Sequence, residues 1–134
     1  MLFSLVILSA PYSNQSSMSA FEFAKAVLDE GHKIHRIFFY SDGIHNATSL
    51  SAPPKDEINL PQEWQQLSEK ENIDLVVCIA AALRRGVLNT EEAIRYEKSS
   101  ANLLDKFEIS GLGQLLEGRK YLLSCRFINT ARAG

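Results

Sequence analysis

Cys78 is the residue whose type and position best suit nucleophilic chemistry. It lies in the apolar run of residues 75–80, and the alanine-rich segment that follows predicts the start of a helix. Unpaired backbone N–H groups at a helix start carry partial positive charge, which stabilises an anion such as a thiolate. Arg84 and Arg85 add fixed positive charge roughly two helical turns further on. The pattern predicts a reactive thiol, and inert packing of a core cysteine is the competing interpretation.

Other polar side chains follow the predicted first and second strands. The loop after the first strand offers donors at a helix start that could hold an anion, although ordinary capping explains the same residues. It has neither a Walker nor a GxGxxG pattern, so a bound flavin or nucleotide is only an alternative, and we expect no cofactor. The candidate supporting residues for a site at Cys78 are Tyr12, Gln15, Asp42, Asn46, Arg84 and Arg85.

Each supporting group also has an ordinary structural role. Arg84 and Arg85 can orient an anionic partner or sulfur species, or they can stabilise a helix C-terminus. Asp42 and Asn46 suit turn formation as well as a site. His45 lies in the same loop and could exchange protons with Cys78, although nothing in the sequence establishes that the two are close.

Composition and cysteine use narrow the class of protein. The 134 residues are 46% apolar with a net charge of −2, which predicts one domain over residues 1–134 and disfavours nucleic-acid binding. No apolar run reaches the roughly 18 residues of a membrane span, so we expect a soluble, cytoplasmic protein. Cys78 and Cys125 have neither CxxC nor zinc-ligand spacing, which predicts two reduced thiols, no metal site and a core position for Cys125. A disulfide between them is the alternative, and the redox poise of the cytosol opposes it.

Strands and helices alternate along the chain. Apolar or β-rich runs predict strands over residues 2–9, 34–40, 74–79, 107–109 and 121–128. Helical spacing and capping signals predict helices ending at Gly31, beginning near Pro61, and over 80–85, 89–98 and 111–117, the last terminated by Gly118. This pattern predicts a flavodoxin-like, three-layer α/β fold with a mostly parallel sheet of about five strands. The loops 11–17 and 41–52 and the segment after Cys78 should then converge at the carboxyl edge of the sheet.

Several motifs resemble those of the DsrE/TusD family of sulfur-relay proteins. They are Pro11-Tyr12, the helix 19–24, the strand end and turn 38–43, the segment 78–87 and the turn 109–115. Of these, the segment 78–87 is similar to the active-cysteine segment of the family. The resemblance covers roughly residues 1–118, while residues 126–134 form an atypical tail. The match at residues 82–85 favours the TusD branch.

The resemblance implies a sulfurtransferase in which Cys78 carries sulfur as a persulfide. It further implies a heterohexamer with TusB-like and TusC-like subunits, a TusA-like donor and a TusE-like acceptor, in the 2-thiolation of the tRNA wobble uridine. The DsrE branch would instead serve dissimilatory sulfur oxidation. A non-catalytic, architectural subunit of such an assembly is the other alternative.

Overall fold

The computed structural model describes residues 1–111, Gly113 and the backbone of residues 125–127. The strands are β1 (Leu2–Ile7), β2 (Lys33–Phe39), β3 (Asp74–Cys78), β4 (Phe107–Ser110) and β5 (Cys125–Phe127). The helices are α1 (Ser16–Asp29), α2 (Leu60–Glu71), α3 (Ile79–Arg84) and α4 (Thr90–Arg95), together with a 3₁₀ helix over Ser41–Ala47.

The strands form one sheet in the order β4-β3-β2-β1-β5, and every pairing is parallel. The chain moves outward from β1 to β4 and returns to place β5 on the other side of β1. Helices connect β1 to β2, β2 to β3 and β3 to β4, as parallel pairing requires. The predicted α/β class and the sheet of about five strands are confirmed.

Trp64 of α2 lies at the centre of the core that covers one face of the sheet. It is fully buried and makes edge-to-face contacts with Phe21 of α1 and Phe39 of β2. Phe39 in turn contacts Phe107 of β4. These ring contacts pack α1 and α2 onto the same face of the sheet.

Element boundaries differ from the predicted ones where polar groups end the regular structure. The first strand ends at Ile7 rather than Ser9, because the Ser9 carbonyl accepts side-chain hydrogen bonds instead of ladder bonds. The segment 41–52 was expected to be a loop but opens with the 3₁₀ helix. Helix α4 ends at Arg95 rather than Lys98, since Glu97 has a left-handed φ of 55°.

Predictions for the end of the chain fall mainly outside the described residues. The helix expected over 111–117, its terminator Gly118 and the tail after residue 127 lie there. Of the last strand, predicted over 121–128, residues 125–127 are observed as β5 beside β1. In the part of the chain that the structure describes, no helix is long and apolar enough to cross a membrane.

Candidate active site at Cys78

Cys78 occupies the junction between β3 and α3. It is the last residue of the strand, in register with Ser110 of β4, and it is also the N-cap of α3, with φ −62° and ψ 122°. Its side chain makes no capping hydrogen bond, and the thiol is free. The strand therefore ends at Cys78, one residue before its predicted end at Ile79.

The thiol is enclosed by its surroundings, since only 2% of Cys78 is exposed. Val76, two residues earlier on the same side of β3, is fully buried. A helix start and an apolar enclosure thus act on the same residue. The enclosure restricts the access of water and oxidants to the sulfur.

Helix α3 has one buried side and one open side. Ala81 and Ala82 are buried against the fold, whereas Ala80 and Arg84, four residues apart, are exposed. The helix ends at Arg84. Gly86 follows with a φ of 74°, which suits glycine, and the N–H of Val87 donates to the Ala82 carbonyl at 3.0 Å. The alanine run allows the close packing that fixes Cys78.

The two arginines of the predicted site have different surroundings. Arg85 Nε donates to Asp42 Oδ1 at 2.8 Å, and its Nη1 donates to the Ala81 carbonyl at 3.2 Å. This ion pair joins α3 to the 3₁₀ helix after β2. Arg84 is exposed and lines a surface groove. Asp42 and Arg85 are thus brought together near the carboxyl edge, and Arg84 is directed elsewhere.

Asn46 is fully buried and joins four elements. Its Nδ2 donates to the carbonyls of Gly43 at 2.9 Å and Ser9 at 3.2 Å, and to Ser17 Oγ at 3.3 Å. Its Oδ1 accepts from Trp64 Nε1 at 3.1 Å. These bonds use the donor and acceptor capacity of the amide, so Asn46 positions the loops of the site.

Tyr12 and Gln15 lie beside the start of α1, in a second region of the same edge. Tyr12 has a left-handed φ of 71°; its hydroxyl donates to the Ile58 carbonyl at 2.7 Å and accepts from the N–H of Leu60 at 3.0 Å. Gln15 is the N-cap of α1, although its side chain makes no capping bond. Tyr12 thereby ties the first loop to the start of α2.

The histidines and acids form no further catalytic arrangement with the thiol in the described residues. No hydrogen bond joins His45 to Cys78, and no group of three His, Cys, Asp or Glu side chains there has metal-binding geometry. His32 lies at the amino end of β2, where its Nδ1 is 2.8 Å from the N-terminal nitrogen of Met1. The predicted convergence of the loops is confirmed by the bonds of Asn46 and Arg85.

The sequence does not reveal the tertiary contacts of two positioning residues, Gly43 and Asn102. Gly43 of the 3₁₀ helix packs so closely on β1 that an added Cβ would lie 2.0 Å from the Ile7 carbonyl oxygen. Asn102 accepts from the Leu88 N–H at 2.8 Å and donates to the Gly86 carbonyl at 2.9 Å, which holds the segment after α3. The pair Asp42-Gly43 is recognisable in the sequence as a turn signal, but the sequence does not show that Gly43 packs against β1.

The fold and the free thiol define a parallel α/β domain with a cysteine at the carboxyl end of a central strand. The model of the DsrE/DsrF-like family matches residues 1–119, and the chain belongs to this family. The DsrE sulfurtransferase of Allochromatium vinosum is 50% identical over 117 residues, which cover 87% of this chain and 90% of that protein. A sulfurtransferase TusD homologue of Pseudomonas aeruginosa is 49% identical, covering 87% of this chain and 88% of that protein. The predicted family and sulfurtransferase class are confirmed.

Two solved structures share the fold. The YchN protein of E. coli aligns with a TM-score of 0.70 and 21% identity, over 92% of this chain and 96% of that one. The MTH1491 protein of Methanobacterium thermoautotrophicum, titled a protein of unknown function, aligns with a TM-score of 0.65 and 11% identity, over 92% and 98% of the two chains. At these identities the likeness concerns the fold alone.

Proposed function

We propose that Cys78 carries sulfur between proteins as a persulfide. The Cys78 thiolate attacks the terminal sulfur of a donor persulfide, a new S–S bond forms on Cys78, and the bond between the two donor sulfurs breaks. The donor leaves as a thiolate with the electron pair of that bond. An acceptor thiolate then attacks the terminal sulfur on Cys78 and restores the original thiolate. No net oxidant or reductant is consumed.

The observation that carries this proposal is the free thiol of Cys78 at the start of α3. The sequence places a cysteine where a strand ends, and the backbone makes the same residue the N-cap of a helix. The first N–H groups of a helix have no partner within the helix, so they are available to the sulfur at its start. Membership of a family that includes named sulfurtransferases supports assigning sulfur chemistry to this thiol.

Burial of Cys78 adds a step to this mechanism. A thiol on a residue that is only 2% exposed cannot meet a protein-bound persulfide unless neighbouring groups are displaced. Sulfur transfer therefore includes a local opening of the region around Cys78, at a free-energy cost below that of global unfolding. Between openings, the enclosure protects the persulfide from water and oxidants.

The proposed pathway follows the TusD branch. In it, a TusA-like protein donates sulfur, a TusE-like protein accepts it, and the product is the 2-thiolated wobble uridine of tRNA. The chain, one domain over residues 1–134, would act in the cytoplasm in a heterohexamer with TusB-like and TusC-like subunits. The name of the Pseudomonas aeruginosa relative supports this branch, and that of the Allochromatium vinosum relative supports the DsrE alternative in sulfur oxidation.

Intact-mass analysis after incubation with a persulfidated donor tests the chemistry. The expected result is a gain of one sulfur atom in the wild type and in Cys125→Ser, and no gain in Cys78→Ser. Cys125→Ser is the matched control because it removes the other thiol of the chain. A gain that persists in Cys78→Ser would show that another group carries the sulfur.

A second candidate function is that of an architectural subunit in which Cys78 is merely packed. The burial of Cys78 favours it, as does the exposure of Ile94 (72%) and Tyr96 (51%) around α4, which offers an apolar surface to another chain. Normal tRNA thiolation in cells whose only copy is Cys78→Ala would support this function and exclude the carrier role. Loss of thiolation with an intact assembly would exclude the purely architectural role.

A further inference from the structure

A surface groove lies between the end of α3 and the segment that follows α4. Its volume is about 510 Å³, within the range of sites that hold small molecules or peptide side chains. The lining residues are Leu83, Arg84, Gly86, Leu88, Tyr96, Lys98, Ser99 and Ser100. Two leucines and a half-exposed tyrosine ring form its apolar part, and two cations and two serines form its polar part.

The charges in the groove are available to a ligand. Among the described residues, neither Arg84 nor Lys98 forms an ion pair, whereas the neighbouring Arg85 and Arg95 are paired with Asp42 and Glu92. The groove contains no acidic lining residue in that part of the chain. Its two cations and apolar patch are complementary to a partner that combines carboxylates with an apolar side chain.

The open side of α3 connects this groove to Cys78. Arg84 is six residues beyond Cys78, so the helical rise between them is about 9 Å. An extended peptide covers that distance with about three residues. Ala80 is exposed along the route and has only a methyl side chain, so a peptide can lie along this side of α3 and reach the thiol when the local opening exposes it.

We propose that this groove docks an extended, acidic and apolar peptide segment of the protein that exchanges sulfur with Cys78. The proposal rests on the proposed function for its choice of partner. The carboxylates of the segment contact Arg84 and Lys98, its apolar side chain contacts Tyr96, and its sulfur-bearing cysteine lies about three residues away along α3.

Binding can be measured without any chemistry at the thiol. The full chain carrying Cys78→Ser is titrated with acetyl-Glu-Leu-Glu-Gly-Gly-Ser-amide and with the same peptide carrying glutamine for glutamate, while amide shifts are followed by NMR. Two exposed ion pairs should make the glutamate peptide bind about 2- to 30-fold more tightly, with shifts at Gly86, Lys98 and Ser99. Arg84→Gln with Lys98→Gln should abolish this preference, and Lys55→Gln, at an exposed lysine elsewhere, should retain it.

Equal affinity for the two peptides, or shifts confined to other surfaces, would overturn the docking site. Inorganic phosphate that produces the same shifts at millimolar concentration and displaces the peptide would identify a small-anion site instead. Dimerisation of the wild type that Arg84→Glu abolishes would identify a contact between copies. Either of these two results also overturns the proposal.

Disulfide exchange in the Cys125→Ser background tests whether a peptide bound in the groove reaches Cys78. Each peptide carries cysteine in place of serine, activated as the mixed disulfide with thionitrobenzoate. The Cys78 thiolate attacks the peptide sulfur, the activated S–S bond breaks, and thionitrobenzoate leaves. The glutamate peptide should react about 2- to 30-fold faster than the glutamine peptide, and the Arg84→Gln, Lys98→Gln variant should remove this difference.

Equal rates in the presence of binding would show that the groove does not serve Cys78. Iodoacetamide, which is uncharged, should alkylate Cys78 at the same rate in the wild type and in the groove variant. Neither the binding assay nor the exchange assay uses a persulfide. Failure of the persulfide mass gain would therefore count against the proposed function while leaving the docking result to stand by itself.

Discussion

Replacement of Gly43 by alanine should destabilise the fold more than any other glycine-to-alanine change in the described part of the chain. The new Cβ would lie 2.0 Å from the Ile7 carbonyl oxygen and 2.8 Å from its carbon. Carbon–oxygen contacts in proteins are rarely shorter than about 3.3 Å, so the backbone of β1 or of the 3₁₀ helix must move by more than 1 Å.

The cost of that movement follows from what the Ile7 carbonyl does. Overpacking a well-filled core costs about 1–3 kcal/mol, and the upper end applies here because the obstacle is backbone rather than a flexible side chain. The same carbonyl accepts a hydrogen bond from the Tyr40 N–H at 3.0 Å, and disturbing it adds about 1 kcal/mol. We expect a loss of about 3–4 kcal/mol in the free energy of unfolding.

Urea unfolding followed by Trp64 fluorescence measures this loss, because Trp64 is the single tryptophan and is fully buried. The midpoint for Gly43→Ala should fall by about 1 M or more. Gly86→Ala should cost about 1–2 kcal/mol from its left-handed φ alone. Gly111→Ala, which meets nothing within 4 Å, should stay within about 0.5 kcal/mol of the wild type. Equal midpoints for Gly43→Ala and Gly111→Ala would refute the close approach of the 3₁₀ helix to β1.

Three further predictions concern the polar contacts around the site. Asn46→Ala should lower the free energy of unfolding by about 2–4 kcal/mol, because the indole N–H of Trp64 loses its buried acceptor; an unchanged urea midpoint would contradict this. A double-mutant cycle with Asp42→Asn and Arg85→Gln should give a coupling free energy of about 0.2–1 kcal/mol, because the pair is partly exposed. This coupling should decrease in 1 M salt. A coupling that does not change with salt would argue against a direct ion pair. Tyr12→Phe should lower the free energy of unfolding by about 1 kcal/mol and accelerate hydrogen exchange at the Leu60 amide. The Gln62 amide, which donates to Asn59, is the internal control. Equal protection of the Leu60 amide in the wild type and the variant would exclude the Tyr12 hydrogen bond.

The local structure around the thiol could be predicted because short-range chemistry decides it. A β-rich run followed by alanines makes a strand-to-helix junction at Cys78, and Gly86 ends the helix because a left-handed residue is needed there. Parallel pairing follows from the alternation of strands and helices. Family membership was recognisable for the same reason, since its motifs lie in these contiguous segments.

The contacts between elements could not be predicted in the same way. Turn formation was a sufficient local explanation for Asn46, yet its four hydrogen bonds reach the end of β1, α1, the 3₁₀ helix and α2. Arg84 and Arg85 are neighbours in sequence but lie about 100° apart around the helix, so one reaches Asp42 and the other borders the groove.

By itself, the sequence determined the α/β class, the strand-end position of Cys78 and the family to which the chain belongs. Tertiary structure alone decided the strand order β4-β3-β2-β1-β5 and the burial of the thiol. An apolar strand encodes that it must be covered, but its pattern does not specify which neighbours cover it. For the same reason, the sequence did not determine whether the Cys78 thiol is buried or exposed; the packing of the elements around it decides this.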